Sequence, residues 1–192
     1  MTYPDWFSHT AKPNFEKHLT LQGRQGRMEC LQLGVYTGDA SLWMLQKLGD
    51  IELTDVDTWQ GSDEEAHESM DFEDVYETYL NKISNYRRQI DIRRATTTKY
   101  LLEQYGCDRP LGETFDFIYI DADHTTVGVL MDAELSWPLL KSGGILAFDD
   151  YTWGSNLLPY LTPKPAIDMF VDRHKDELEI LDINDQYWVK KK

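Results

Sequence analysis

The sequence predicts one α/β domain, with a mostly parallel seven-stranded sheet that ends in an antiparallel hairpin and carries helices on both faces. Three observations carry that prediction. Short apolar runs alternate five times with segments of helical period between residues 28 and 148, the signature of repeated strand–helix–strand crossovers. The run Phe115–Ile120 is almost wholly apolar and aromatic, as a parallel strand covered on both faces should be. Two last short runs flank Asn184-Asp185, a turn pair that predicts a hairpin.

Taken in order, residues 1–27 mix aromatics, prolines and charges and read as a short helical lead-in to a domain spanning 28–192. Met28–Leu33 is a strand closed by Gly34, and 38–48 a helix with Leu42, Leu45 and Leu48 three apart. Residues 51–56 form a second strand ending in Asp57-Thr58-Trp59. In the acidic segment 62–86, Phe72, Val75, Tyr76, Tyr79, Leu80 and Ile83 fall at helical spacing with acids between them. Those acids miss the apolar stripe, so a solvated face explains them better than a metal site. Ser62 and Glu65 fit a capping box. A strand at 89–94, a helix at 98–105, strand Phe115–Ile120 and a helix at 127–140 bent by Pro138 come next. Ser142-Gly143-Gly144 should break that helix before a fifth strand at 145–148. A proline-rich loop then leads to a helix at 166–174 and a hairpin from 178–183 and 186–190.

Composition narrows the function. A formal net charge of -15 argues against binding nucleic acid phosphates. The pairs Arg87-Arg88 and Arg93-Arg94 and the tail Lys190, Lys191 and Lys192 are small and dispersed, so solvated faces account for them. Cys30 and Cys107 lack metal-finger spacing, and Cys30, in an apolar run, reads as a buried thiol. No apolar stretch approaches membrane-spanning length and no signal-peptide pattern opens the chain, so a soluble cytoplasmic protein is expected.

In an open α/β sheet, ligands bind beyond the carboxyl ends of the strands. The distinctive residues gather there: Gly34 to Gly38, Asp57, Ala95-Thr96, Asp121 to His124, and Asp149-Asp150. The first turn, Gln32-Leu33-Gly34-Val35-Tyr36-Thr37-Gly38, lets the backbone approach a ligand closely, and its G-x-x-x-G spacing departs from the dinucleotide fingerprint G-x-G-x-x-G. An acid at the end of the second strand, as Asp57 is, can accept hydrogen bonds from ribose hydroxyls or cap a helix. Asp121 and Asp149-Asp150 close strands expected side by side, about 4.8 Å apart. Three converging carboxylates repel unless a cation or shared protons neutralise them. Oxygen ligands point to Mg²⁺, Mn²⁺ or Ca²⁺. The alternative is that Asp150 caps a turn, Asp121 touches the ligand and no metal binds.

The stretches 33–38, 115–124, 139–144 and 148–151, in this order, resemble the caffeoyl-CoA- and catechol-type O-methyltransferases of the Rossmann-like class I fold. They are similar also to macrolide-sugar O-methyltransferases and small bacterial and phage methyltransferases. The resemblance runs from about residue 30 to 151 and implies S-adenosylmethionine (SAM) as cofactor. Gly34 and Gly38 would line its methionine part, Asp57 would hold its ribose, and Ala95 and Thr96 would lie by its adenine, with Gln32, Tyr36, Ser41, Thr58 and Asp121 completing the cofactor-binding set. Asp121, Asp149 and Asp150 match the family's divalent metal ligands, Mg or Mn. His124 stands where catechol-type enzymes carry a lysine base, and it either takes the acceptor's proton or only orients Asp121 or Asp123. Two positions depart from the pattern. Gln32 replaces the usual acid, and Ala40 stands where a serine often meets the SAM carboxylate, with Ser41 next to it.

The activity implied is metal-assisted methylation of a hydroxylated small molecule, a sugar or a phenol, and small O-methyltransferases of this kind are often homodimers. Tyr36 or Trp59 is placed to face the sulfonium. The acceptor pocket would draw on Trp6, Phe7 and His9 of the lead-in and on the loop from Trp153 to Lys164. Rival readings are a nucleic-acid methyltransferase, disfavoured by charge, a SAM-binding regulatory or assembly protein without catalysis, and a nucleotide-dependent oxidoreductase, disfavoured by the glycine spacing.

Overall fold

The computed structural model describes residues 3–19, 26–62, 67, 69–106 and 112–192. Glu65 of the capping box and Cys107 lie outside them. Two short helices, α1 (Trp6–His9) and α2 (Lys12–His18), precede β1 (Met28–Leu33), α3 (Asp39–Lys47), β2 (Ile51–Asp57), α4 (Phe72–Lys82), β3 (Ile90–Arg94) and α5 (Thr97–Gln104). Strand β4 (Phe115–Ile120), α6 (Thr126–Ser136), β5 (Leu140–Phe148), α7 (Lys164–His174), β6 (Leu178–Ile183) and β7 (Tyr187–Lys191) complete the chain. The sheet order is β3-β2-β1-β4-β5-β7-β6. Strands β1 to β5 are parallel, and β7 runs antiparallel between β5 and β6. Strand order reverses at β1, which lies between β2 and β4, and that switch opens the crevice where such sheets take ligands.

Alternation along the strands divides the core in two. Cys30, Phe117, Tyr119 and Trp188 face a cluster with Phe15 of α2, Trp43 and Met44 of α3, and Val75 and Tyr79 of α4. Their neighbours Leu31, Leu33, Ile118 and Ile120 face the opposite cluster, with Leu101 of α5, Val129 of α6 and Phe170 of α7. Helices therefore cover both faces, and Cys30 is buried.

Three boundaries differ from those the sequence predicts. Helix α6 ends at Ser136, because Pro138 has no N–H to continue the ladder, and a 3₁₀ turn over Trp137–Leu139 follows. Strand β5 then starts at Leu140, so Ser142-Gly143-Gly144 lies inside it. The glycines there serve an irregularity: Gly143 has φ +80°, and the β4–β5 register shifts between Phe115 and Phe117. Helix α4 starts at Phe72, capped by Asp71, whose Oδ1 accepts from Glu73 N at 3.1 Å and Asp74 N at 3.4 Å. Ser62 pairs instead with His67, its hydroxyl 2.7 Å from Nδ1.

Asp132 on α6 is 1% exposed, and the nearby Thr97 side chain only partly offsets the burial of its carboxylate. Burial pushes its pKa up to about 7. The folded state holds that proton up to about pH 7, whereas the unfolded chain loses it near pH 4. Stability therefore falls as pH rises between those values, and the penalty is complete above pH 7. Asp132→Asn is expected to stabilise the chain by up to about 4 kcal/mol at pH 8, and by less at pH 5.5. Urea unfolding at the two pH values measures this, and an equal gain at both would refute it.

Candidate functional site

The first turn is built around the Asp57 carboxylate. Its Oδ2 accepts from Val35 N at 2.7 Å and Tyr36 N at 3.0 Å, and its Oδ1 from Trp59 N at 2.7 Å. Trp59 Nε1 returns a bond to Tyr36 O at 2.9 Å. Three of roughly four acceptor positions on the carboxylate are thus taken, and one remains for a ligand hydroxyl. These bonds hold Tyr36 and Trp59 at φ +54° and +46°, a backbone region costing on the order of 1–3 kcal/mol for residues with side chains.

Glycine is required at both ends of the turn. Gly34 has φ +85°, and a Cβ there would lie 1.8 Å from the Asp121 carbonyl oxygen. The first turn and the end of β4 thus meet backbone to backbone, with Asp121 N donating to Leu33 O at 2.8 Å. Gly38 has φ +78°, and its Cβ would strike the Tyr79 ring at 2.5 Å. Lys82, three residues along α4, reaches Asp39 at 2.7 Å and Thr37 at 3.2 Å, so α4 clamps the turn.

Gln32 and Ser41 meet each other beneath this turn. Gln32 is 2% exposed and donates through Nε2 to Gly34 O at 2.9 Å, while its Oε1 accepts from the Ser41 hydroxyl at 3.1 Å. At the next strand ends, Ala95 N donates to Asp57 O at 2.9 Å, and the Thr96 side chain caps α5 through Lys99 N at 3.3 Å. Thr58 lies beside them, its hydroxyl accepting from Gln60 N and its carbonyl from Arg94. Ala95, Thr96 and Thr58 border the turn with backbone and capping roles of their own.

At the ends of β4 and β5 the structure gathers Asp121, His124 and Asp150, with one ligand atom from each lying within 4.8 Å of the others. His124 Nε2 is 3.0 Å from Asp150 Oδ2 and 3.9 Å from Asp121 Oδ1, and its ring packs against Trp153 at 4.7 Å. Asp150 sits at φ +57°. Burial, then the charge of Asp149, pushes the Asp121 carboxyl well above the usual range. Asp149, expected with this group, points elsewhere. It accepts from the Tyr119 hydroxyl, from Gln186 Nε2 at 3.0 Å and from Asp150 N at 3.0 Å. Burial, then the charge of Asp150, raises its pKa to about 6. Asp123, the neighbour His124 was also expected to orient, accepts from Thr125 N at 2.8 Å just before α6.

Of the expected acceptor residues, Trp6 stacks on Tyr36 at 4.7 Å and is 44% exposed beside the turn. Phe7 packs edge-on against Phe15 at 5.0 Å and belongs to the core side of the lead-in. Sequence reasoning missed Asp55 and Gln186. Asp55 is fully buried, accepts from the Tyr79 hydroxyl at 2.7 Å, and is pushed by burial up to about 7. The signal was available: an acid inside the apolar strand Ile51–Asp57, two residues before Asp57 and so on the same face.

A family model described as a methyltransferase domain matches residues 31–151. The chain is 29% identical over 172 residues to "Probable caffeoyl-CoA O-methyltransferase 3" of Dictyostelium discoideum, covering 84% of this chain. It spans 62% of that relative's length. Among solved structures, it is similar to the O-methyltransferase TomG of Streptomyces achromogenes, involved in tomaymycin synthesis and solved with SAM. That likeness has a TM-score of 0.63 at 13% identity, over 85% of this chain and 73% of the other. It is similar too to the MycE methyltransferase of the mycinamycin pathway, solved with Mg and S-adenosylhomocysteine (SAH). There the TM-score is 0.61 at 14% identity, over 100% of this chain and 51% of the other.

Because Asp57 holds three backbone N–H groups, removing it should unsettle the turn before any ligand is considered. Asp57→Ala is expected to cost about 1.5–3 kcal/mol of stability, the range for hydrogen bonds to a charged group. Asp57→Asn, which keeps an acceptor oxygen, should cost less. Thermal unfolding of the two variants checks the order, and equal losses would remove the carboxylate from this role.

Proposed function

The chain belongs to the methyltransferase-domain family whose model spans residues 31–151, and from that premise we propose that it transfers a methyl group from SAM to the hydroxyl of a small molecule, a sugar or a phenol, with a divalent cation assisting. The observation that carries this reading is the convergence of Asp121, His124 and Asp150 at the ends of β4 and β5. They share the crevice edge with the Gly34 turn, which touches Asp121 through the backbone. The O-methyltransferase names of the Dictyostelium relative and of TomG support the reaction type, and the Mg of the MycE structure supports the metal.

The first turn fits SAM. Gly34 and Gly38 leave its backbone bare, Asp57 keeps one acceptor position for a ribose hydroxyl, and Ala95 and Thr96 border the place the adenine would take. The acids nearby favour a cation such as the sulfonium over neutral SAH. Bound SAM supplies an electrophilic methyl group, and its transfer to oxygen is an in-line displacement governed by positioning and exclusion of water.

The residues at the strand ends also fit a cation. Two carboxylates and one imidazole nitrogen face one point, and crowded acids of this kind are relieved by a positive charge. A cation held by Asp121, His124 and Asp150 would supply Lewis acidity, lowering the pKa of the acceptor hydroxyl. Oxygen donors with one nitrogen suit Mg²⁺ or Mn²⁺, and the nitrogen tilts the balance toward Mn²⁺. The 3.0 Å contact between His124 Nε2 and Asp150 favours a second reading: Nε2 takes the acceptor's proton, and the adjacent Asp150 carboxylate stabilises the imidazolium so formed.

Chelation separates the two. In the metal-assisted reading, EDTA abolishes transfer while SAM affinity by calorimetry stays, Mn²⁺ or Mg²⁺ restores the rate, and Asp150→Ala behaves as the chelated enzyme. Full activity in chelator would discard the metal. His124→Ala should then lower the rate about 10²–10⁴-fold, with partial recovery at higher pH where the acceptor ionises unaided. Labelled SAM offered to sugars, phenols and oligonucleotides should give product first among the hydroxylated small molecules, and preferential transfer to the oligonucleotide would sink the proposal.

A further inference from the structure

The turn joining β6 to β7 does more than close the sheet. Residues 184–186 are wedged between helix α2 and the backbone that carries Asp150. On one side, Asn14 of α2 donates to Asn184 Oδ1 and to Gln186 Oε1, each at 2.9 Å, and accepts from Asn184 Nδ2 at 3.0 Å. Trp188 Nε1 adds a second donor to Gln186 Oε1 at 2.9 Å. On the other side, Gln186 Nε2 donates to Asp149 Oδ1 at 3.0 Å, Tyr151 N to Asp185 O at 2.8 Å, and the Thr152 hydroxyl to Asp185 Oδ1 at 2.6 Å. Asn14, Tyr119 and Gln186 are all buried.

Asp149 passes this support to its neighbour. The same Oδ1 that receives Gln186 accepts the Asp150 N–H at 3.0 Å, while Oδ2 takes the Tyr119 hydroxyl. Asp150 stands at φ +57°, a conformation a non-glycine residue keeps only when its surroundings over-determine it. Here the surroundings are visible: the N–H of Asp150 is tied to Asp149, its carbonyl accepts from Trp153 N at 3.0 Å, and the next two residues are tied to Asp185.

We propose that Asp149 and Gln186 are positioning residues which, through the β6–β7 turn and Asn14, hold the Asp150 carboxylate toward His124 and Asp121. Asp149 acts on the site from behind, through the Asp150 backbone, and the amide of Gln186 is needed because one group must accept from Asn14 and Trp188 while donating to Asp149. A carboxylate at position 186 could do only the first. The lead-in helix α2 thereby becomes part of the machinery that sets the site, although it contributes no side chain to it.

The test uses Gln186→Glu in the full chain, which keeps the acceptor for Asn14 and Trp188 and places a charge against Asp149. Hydrogen exchange at the Asp150 and Tyr151 amides should quicken by about tenfold or more, the loss expected for one charged hydrogen bond. SAM affinity should stay within about twofold and kcat should fall about tenfold or more, a split that general loosening of the fold would not give. Asn14→Ala, which removes only the α2 side, should shift exchange and kcat the same way by a smaller factor, and it decides the matter if Gln186→Glu does not fold. Unchanged exchange at both amides overturns the assignment, as does faster exchange with kcat intact. The effect on kcat rests on the reading of Asp150 as part of the transfer site. The effect on exchange does not, so a chain that transfers no methyl group would refute that reading and leave the amides to judge this one.

Discussion

Strands β4 and β5 are neighbours, and each ends in acid: Asp121 on one, Asp149 and Asp150 on the other. At the strand spacing of about 4.8 Å, three partly dehydrated carboxylates cannot all stay charged and unpaired. The structure answers by sorting them. Asp149 turns inward, where two neutral donors, the Tyr119 hydroxyl and the Gln186 amide, spread its charge without adding a cation. Asp121 and Asp150 stay at the crevice edge with the His124 imidazole facing both. A positive charge is welcome at that edge, whether it is a metal ion, an imidazolium or both in turn.

The first turn shows the complementary arrangement, one acid serving many donors. Asp57 collects three N–H groups that a left-handed stretch of backbone would otherwise leave without acceptors. Charge-assisted bonds of this kind offset the strain at Tyr36 and Trp59, which is why the turn can keep residues with large side chains where glycine is usual. The ring of Tyr79 and the ammonium of Lys82 then fasten the turn from outside. Preformed geometry of this sort lowers the ordering cost of binding a flexible ligand.

Much of this was legible in the sequence. Met28–Leu33, Phe115–Ile120 and Leu178–Ile183 are strands with the limits the sequence gives them, because apolar continuity and period report backbone state directly. That the chemistry gathers at the ends of β1 to β5 followed from topology alone. Side-chain direction was not legible. Asp149 and Asp150 are adjacent and identical in type, yet alternation at a strand end sends one inward to Tyr119 and Gln186 and the other to His124. The partner that decides this, Gln186, lies 37 residues away in a turn that reads as a plain hairpin. Strand β5 was misjudged at its start for a similar reason, since glycines at an irregularity look like a helix terminator until the register of β4 is known.

Gln32 is the departure from the family pattern that the structure explains best. Its partner across the β1–β2 ladder is Asp55, and both are buried on the face that packs against α3 and α4. An acid at position 32 would set two carboxylates side by side at strand spacing, with no cation in contact with them among the described residues, and one would have to stay protonated. The amide removes that conflict. It also does what a carboxylate cannot: Nε2 donates to Gly34 O inside the first turn while Oε1 accepts from Ser41. The buried acid of this pair stands on β2, where Tyr79 satisfies one of its oxygens and thereby ties α4 to the sheet just beneath Gly38. Read with Asp55, the amide at position 32 is a compatible half of a buried pair, and its two hydrogen bonds join the β1 end to α3 and to the first turn.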